Sequence, residues 1–172
     1  MSDEQQPGAN GIPVDAWTFR AALGRLAGGV TIVSTIADGR DHAMTANAVT
    51  SVSLEPPLVL VCVETASRFH EAVLDAGVWG VSILGKSQRP AAQWLATPGR
   101  PLVGQLDQIP HTRGASGVVM IIGSLATLEC ETYAVHPAGD HSIVLGRVTA
   151  LTLADEPEAA LVYYRSQFGS LA

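Results

Sequence analysis

Charge is scarce in this 172-residue chain, with Asp, Glu, Lys and Arg together making up 15% of it. No run of Lys and Arg occurs, and the net charge is −6. Nucleic-acid binding rests on a basic footprint that neutralises phosphates, so that class of function is excluded. The ten basic residues are still enough to place one or two at an anionic ligand. Cysteine is scarcer: Cys62 and Cys130 stand far apart and in no CxxC pair. Two such thiols in apolar surroundings read as small core residues rather than a disulfide, and a zinc site needs more Cys and His at tighter spacing. No apolar run reaches the length of a membrane span. The opening "MSDEQQPGANGIP" lacks the basic-then-apolar order of a signal peptide. These absences imply a cytoplasmic protein that binds neither membrane nor nucleic acid. Residues 1–13 read as a flexible polar tail and 14–172 as one domain, with no internal repeat.

What is abundant is apolar sequence, at 47%, enough for one buried core. Asp15 can cap a helix from Ala16 to about Leu26, with Phe19, Ala22, Leu23 and Leu26 on one face and Gly28-Gly29 as its stop. "VTIVSTI" reads as a strand and Asp38-Gly39 as a hairpin turn. "HAMTANAVTSVSLEPP" is strand-like at both ends, and "LVLVCVE" is an apolar strand expected at the centre of a sheet. Ser67 caps a helix over "RFHEAVLDA" that Gly77 closes. "VWGVSIL" is a further strand, and a short helix runs from Ser87 to about Leu95. Residues 97–117 read as loop, followed by three long strands, "VVMIIG", "LATLECETYAV" and "HSIVLGRVTALTL". About seven strands, few helices and hairpin connections imply a mainly β fold, an antiparallel barrel with peripheral helices. A parallel sheet would need a helix between most strands.

Four motifs could carry chemistry. "GVSILGKS" (residues 80–87) satisfies the phosphate-loop expression, but Val81, Ser82, Ile83 and Leu84 belong to a strand, which cannot curl around a phosphate. Lys86 then reads as a solvated residue between strand and helix. In "TANA" (residues 45–48) small side chains would let a flat ligand approach the backbone, and a heterocycle edge would satisfy Asn47 and Ser51. Thr45 and Ser51 on a solvated strand face fit the pattern as well. Ser67-Arg68, a hydroxyl and a guanidinium at a helix start, could hold an anion, or serve as a plain cap beside a solvated arginine. In "HPAGDHSIVLGRV" (residues 136–148) a turn needs Gly139 and tolerates Asp140 but does not need the imidazole of His141. That residue is either an exposed strand end or a side chain aimed into a cleft.

The ordered set "FRAALGRLAGGVTIVST", "AMTANAVTSVSLEPPLVLVCV", "SRFHEAV", "GSLATLEC", "PAGDHSIVLGRV" and "LVYYR" resembles the flavin reductase-like domain family, the reductase components of two-component flavin monooxygenases. The resemblance runs from about Trp17 to Arg165. It implies a split antiparallel β-barrel of the Greek-key, FMN-binding type, forming a homodimer that takes FMN or FAD, with NADH or NADPH as electron source. It places Thr45, Ala46, Asn47, Ala48 and Ser51 along the isoalloxazine, and Cys62, Val63, Ser67 and Arg68 along the ribityl chain and phosphate. It gives His141 the catalytic place facing the nicotinamide, with Tyr164 and Arg165 as further cofactor contacts. A partner monooxygenase would receive the reduced flavin. Ala43 stands where family members often carry Gly, and Ala48 where many carry Ser. A non-catalytic flavin carrier or sensor, and an oxidase of the pyridoxamine-phosphate type, would use a related barrel; the latter calls for a denser Arg/Lys cluster than this sequence has.

Overall fold

The computed structural model describes residues 14–171, so the expected tail lies outside the described residues. Helix α1 (Ala16–Leu23) starts where expected, because the Asp15 carboxylate accepts the N–H groups of Trp17 and Thr18, each at 2.9 Å. It ends at Leu23 rather than Leu26, and its apolar side is not core: Phe19, Leu23 and Leu26 are all exposed, as is Trp17. The apolar period marked a face to be covered, and nothing in this chain covers it. Gly28-Gly29 does more than stop the helix, since it forms strand β1.

The remaining strands are β2 (Thr31–Ala37), β3 (Arg40–Ala46), β4 (Val49–Leu54), β5 (Pro57–Glu64), β6 (Val78–Ile83), β7 (His111–Arg113), β8 (Val119–Ile121), β9 (Ala126–Ala138), β10 (His141–Leu153), β11 (Ala160–Tyr164) and β12 (Gln167–Leu171). Helices α2 (Arg68–Ala76) and α3 (Arg89–Ala96) lie between them. Among the described residues the fold is mainly β, with twelve strands where about seven were expected. Seven do form the main antiparallel sheet, in the order β3-β2-β6-β9-β10-β5-β4, beside small sheets β1-β11-β12 and β7-β8. No described helix is long and apolar enough to cross a membrane.

Two further expectations are corrected. "LVLVCVE" lies second from one edge, and β9 holds the centre. Strand β5 is apolar throughout because Val61 and Val63 fill the core while Leu60 and Cys62 are half-buried on the opposite face. "VVMIIG" yields a strand of only three residues, which pairs with β7 inside the segment read as loop. Its apolar residues reflect burial from Val118 to Ile121 rather than a long ladder.

The local signals elsewhere match. Asp38 and Gly39 adopt φ of 51° and 67°, the left-handed pair that a tight β2-β3 turn needs. Ser67 caps α2 by accepting the His70 N–H, and Gly77 closes it at φ 65°. In the phosphate-loop lookalike, residues 80–83 are extended within β6 and Lys86 is exposed. The helix start after it already holds an anion of the chain's own: the Glu158 carboxylate accepts the Ser87 N–H at 3.2 Å.

Strands β3 and β4 are opposite edges of the main sheet, yet only Asn47 and Ala48 separate them in sequence. The sheet therefore curls until its two edges come together at that corner. Inside the curl lie Val33, Ala46, Val61, Val63, Val81, Cys130 and Val144, with Trp79, and with Phe69 and Val73 of α2. Burial there pushes the Cys130 thiol up to about 12, so it stays protonated at neutral pH. A second core, including Ile32, Ala43, Leu84, Ala92, Leu95, Leu106 and Ile121, joins the outer face of β2 and β3 to α3 and loop 97–117.

Candidate flavin and nicotinamide site

The corner 45–48 divides into two halves. Thr45 donates its hydroxyl to the Ala92 carbonyl of α3 at 2.7 Å, and the Ala46 side chain is packed in the inner core. The Ala46 carbonyl accepts from the Thr31 hydroxyl at 2.8 Å. Asn47 and Ala48 are exposed, and the Cys62 N–H donates to the Ala48 carbonyl at 3.0 Å. That bond ties the corner to β5. Ser51 is exposed on edge strand β4, opposite Val59.

Downstream of Cys62 the residues part onto two faces. Strand β10 pairs with β5 so that His141, Ile143 and Leu145 stand opposite Glu64, Cys62 and Leu60. Directly opposed residues share a face, so His141 and Cys62 lie on the outer side of the sheet. Ser142 and Val144, with Val63 and Val61, point inward, and burial along β10 alternates accordingly. The Val63 side chain is wholly buried, so only its backbone could meet a ligand.

His141 is held at the mouth of the β9-β10 hairpin, whose two-residue turn uses Gly139 at φ 65°. The N–H and hydroxyl of Thr65 both donate to the Asp140 carbonyl at 3.0 Å, which pins that turn to the end of β5. The Asp140 carboxylate meets His141 Nδ1 at 2.7 Å. This hydrogen bond, together with the charge of a protonated ring, holds Asp140 below the usual carboxylate range. Fixing Nδ1 leaves Nε2 pointing away from the turn. The imidazole is 42% exposed, a partly open edge rather than a core histidine.

At edge strand β3, the start of α2 comes near loop 97–117. Ser67 and Arg68 line a cavity of about 90 Å³ with His42, Ala43, Met44, Phe69, Arg100, Leu102 and Gln105. No carboxylate lines it. Burial and the charge of Arg68 both push the His42 imidazole below its ordinary value, and the same two causes lower the Arg100 guanidinium. Positive groups thus converge where the N-terminus of α2 already favours an anion.

Tyr164 and Arg165 lie apart from this cavity. They end β11 and enter the β11-β12 turn, where Arg165 and Ser166 adopt φ of 49° and 61°. The Arg165 N–H donates to the Gly24 carbonyl at 2.7 Å. Gly28, the first residue of β1, pairs with Tyr163 and faces Asn47, which sets the aromatic hairpin near the exposed half of the corner.

The structure therefore ties Ala48 to Cys62 and brings Ser67 and Arg68 into one cavity, while His141 shares a sheet face with Cys62 and does not line that cavity. His42, Arg100 and Gln105 were not singled out from sequence. Arg100 sits in an irregular loop, 57 residues from the Ala43 carbonyl to which it donates, and no local pattern announces such a contact.

Comparison with known proteins gives one consistent result. The model of the family described as flavin reductase like domain matches residues 23–172. An NADH-dependent flavin reductase from Rhodococcus sp is 42% identical, over 89% of this chain and 85% of its own length. The flavin reductase component of a bacterial two-component tryptophan halogenase superposes with a TM-score of 0.86 at 42% identity, covering 91% of this chain and 98% of that one. An NADH:FAD oxidoreductase from Streptomyces globisporus, solved with NAD and FAD fragments, gives a TM-score of 0.86 at 34% identity, covering 92% and 93%.

Proposed function

The chain belongs to the flavin reductase-like domain family, and from that premise we propose that it is an NAD(P)H:flavin oxidoreductase. It reduces FMN or FAD with NADH or NADPH and passes reduced flavin to a partner monooxygenase. The observation that carries this reading is the reach of the family match, residues 23–172, which spans every candidate residue from Thr45 to Arg165.

The cationic cavity fits such a ligand: a flavin phosphate brings the negative charge that the lining of His42, Arg68 and Arg100 lacks. When bound, the nicotinamide supplies a hydride and the flavin ring accepts it, so the reaction asks the protein chiefly to hold two planar groups in register. Ser67 and Arg68 anchor the phosphate end. The corner from Thr45 to Ala48, with Ser51, lines the ring, the ligand approaching the exposed Asn47 and Ala48 and their backbone. Cys62 and the Val63 backbone continue that wall. Tyr164 and Arg165 flank it. His141, steadied by Asp140, donates or accepts one hydrogen bond that orients the nicotinamide.

The curled sheet is a split barrel in this reading, and the working unit is a homodimer. The exposed apolar side of α1, together with Leu151, Leu153 and Tyr164, is the surface a second copy would cover. Joining the cationic cavity of one protomer to the His141 face of another would bring both halves of the site together. The cytoplasm is the proposed compartment, where Cys62 and Cys130, both free thiols, stay reduced.

One assay tests the activity: consumption of NADH and of NADPH by the purified protein, with FMN and then FAD supplied. Flavin-dependent oxidation of either dinucleotide is expected. Saturating amounts of both without flavin reduction would overturn the enzyme reading, and tight flavin binding without turnover would mark a carrier or sensor instead.

A further inference from the structure

We infer that Thr65 and His70 are positioning residues that grip the two chain neighbours of His141, and so couple a phosphate held at Ser67 and Arg68 to the nicotinamide side. The inference rests on the flavin reductase reading and adds to it two residues outside its proposed contacts.

Three hydrogen bonds carry it. Thr65 donates its N–H and its hydroxyl to the Asp140 carbonyl, each at 3.0 Å. His70 Nε2 is hydrogen-bonded to the Ser142 hydroxyl at 2.9 Å. Asp140 and Ser142 stand on either side of His141, just as Thr65 and His70 stand on either side of Ser67 and Arg68. The segment between the two grips is stiff. The Ser67 N–H donates to the Glu64 carbonyl at 3.0 Å, and the His70 N–H meets both the carbonyl and the hydroxyl of Ser67. Glu64 itself pairs with His141 across β5 and β10. A displacement at Ser67 or Arg68 is therefore passed to the strand start that carries His141.

Helix packing does not call for these bonds. Phe69 and Val73 of α2 are already fastened in the inner core, at 4% and 0% exposure. Among the described residues, His70 is the one side chain of α2 hydrogen-bonded to another element. Ser142 points inward beside Val63 and Val144, and an apolar residue there would need no partner at all. All three bonds lie within one protomer. In a homodimer that joins the cationic cavity of one chain to the His141 face of another, the grip links the two sites.

FMN and riboflavin differ only in the phosphate, so comparing them cancels effects of the ring. Hydrogen exchange of the 139–142 amides is followed by mass spectrometry in wild type and in His70→Leu, each saturated with one flavin or the other. In wild type FMN should slow that exchange about fivefold or more beyond riboflavin, the lower end of ordinary coupling between sites. The extra slowing should disappear in His70→Leu and return in His70→Gln, whose amide can replace Nε2. A helix that is merely loosened would exchange faster with both flavins and keep the difference. Equal slowing by the two flavins in wild type, or an FMN-specific slowing that survives in His70→Leu, overturns the inference. Ser142→Ala removes the other end of the same bond and carries the test if His70→Leu does not fold. The KM for NADH gives the kinetic reading: lower with FMN than with riboflavin in wild type, and the same with both in His70→Leu. A ratio that the substitution leaves unchanged overturns the inference equally. Should wild type reduce neither flavin, the reductase reading fails, while the exchange measurement still decides the grip.

Discussion

His141→Ala separates a positioning role from a surface one, because the structure limits what else the change can do. The imidazole is 42% exposed and its hydrogen bond goes to an Asp140 side chain that is 88% exposed. Water screens an exposed pair of this kind, so its loss should leave Tm nearly unchanged. The backbone at the position stays pinned, since Thr65 holds the Asp140 carbonyl twice without using the His141 side chain. The cationic cavity stays intact too, because His141 is not among the residues that line it. Misplacing a hydride donor by about an ångström costs on the order of a hundredfold in rate, or about 2.7 kcal/mol of barrier. That exceeds what the fold can lose, so a kinetic effect of this size cannot be secondary to unfolding. Stopped-flow mixing of NADH with flavin-loaded variant, under anaerobic conditions, reads the loss of oxidised-flavin absorbance directly. The expected result is a rate about a hundredfold lower, or weaker NADH dependence, with flavin affinity unchanged. A wild-type rate with wild-type NADH dependence would make His141 a strand-end residue and nothing more.

Arg68→Ala should weaken flavin binding by about tenfold to a hundredfold, through loss of a charge-assisted phosphate contact; an unchanged titration would remove Arg68 from the site. Gly146→Ala should destabilise by about 1–3 kcal/mol, a fall in Tm of roughly 2–12 °C. A Cβ there would collide with the indole of the wholly buried Trp79, so the penalty should shrink in a Trp79→Phe background. Glu129→Gln should flatten the acid limb of the stability profile. Partial burial alone would raise this carboxyl, but hydrogen bonds from Ser116 and Ala115 hold it below its ordinary 4.5. Its contribution is therefore present above that value and lost as the pH falls through the folded one. Equal acid midpoints for the two proteins by circular dichroism would contradict this.

What could be read from sequence follows from how far apart the interacting residues are. The Asp38-Gly39 turn, the Ser67 cap, the Gly77 stop and the alternation along β10 are each specified within a few residues, and each is found. The order of strands is not local. Nothing in "LVLVCVE" says that it pairs with β10 on one side and edge strand β4 on the other. Apolar runs report burial without saying what supplies it, which is why "VVMIIG" is core but barely strand, and why the apolar side of α1 faces outward. The cationic cavity depends on Arg100 meeting β3 and on Gln105 reaching Asp41 across 64 residues. Its loop carries no period or motif, so Arg68 was visible from its helix start and Arg100 was not.

The stretch 45–48 shows why a small-residue corner reads two ways from sequence. Small side chains were explained either by a ligand approaching the backbone or by ordinary packing, and the structure divides the four residues between those causes. Thr45 is small and polar because its hydroxyl must meet the Ala92 carbonyl under α3, and Ala46 is small because it packs among Val61, Val63 and Phe69. Neither needs a ligand to account for it. Asn47 and Ala48 are exposed where the two edges of the sheet come together, with Gly28 in contact on one side and Cys62 hydrogen-bonded on the other. Packing does not require Ala48 to be small, and it leaves the Asn47 side chain without an assigned role. A flat ring could come close to the chain there because no larger side chain stands in the way. The structural demand on this corner ends at Ala46, and the room for a cofactor begins at Asn47.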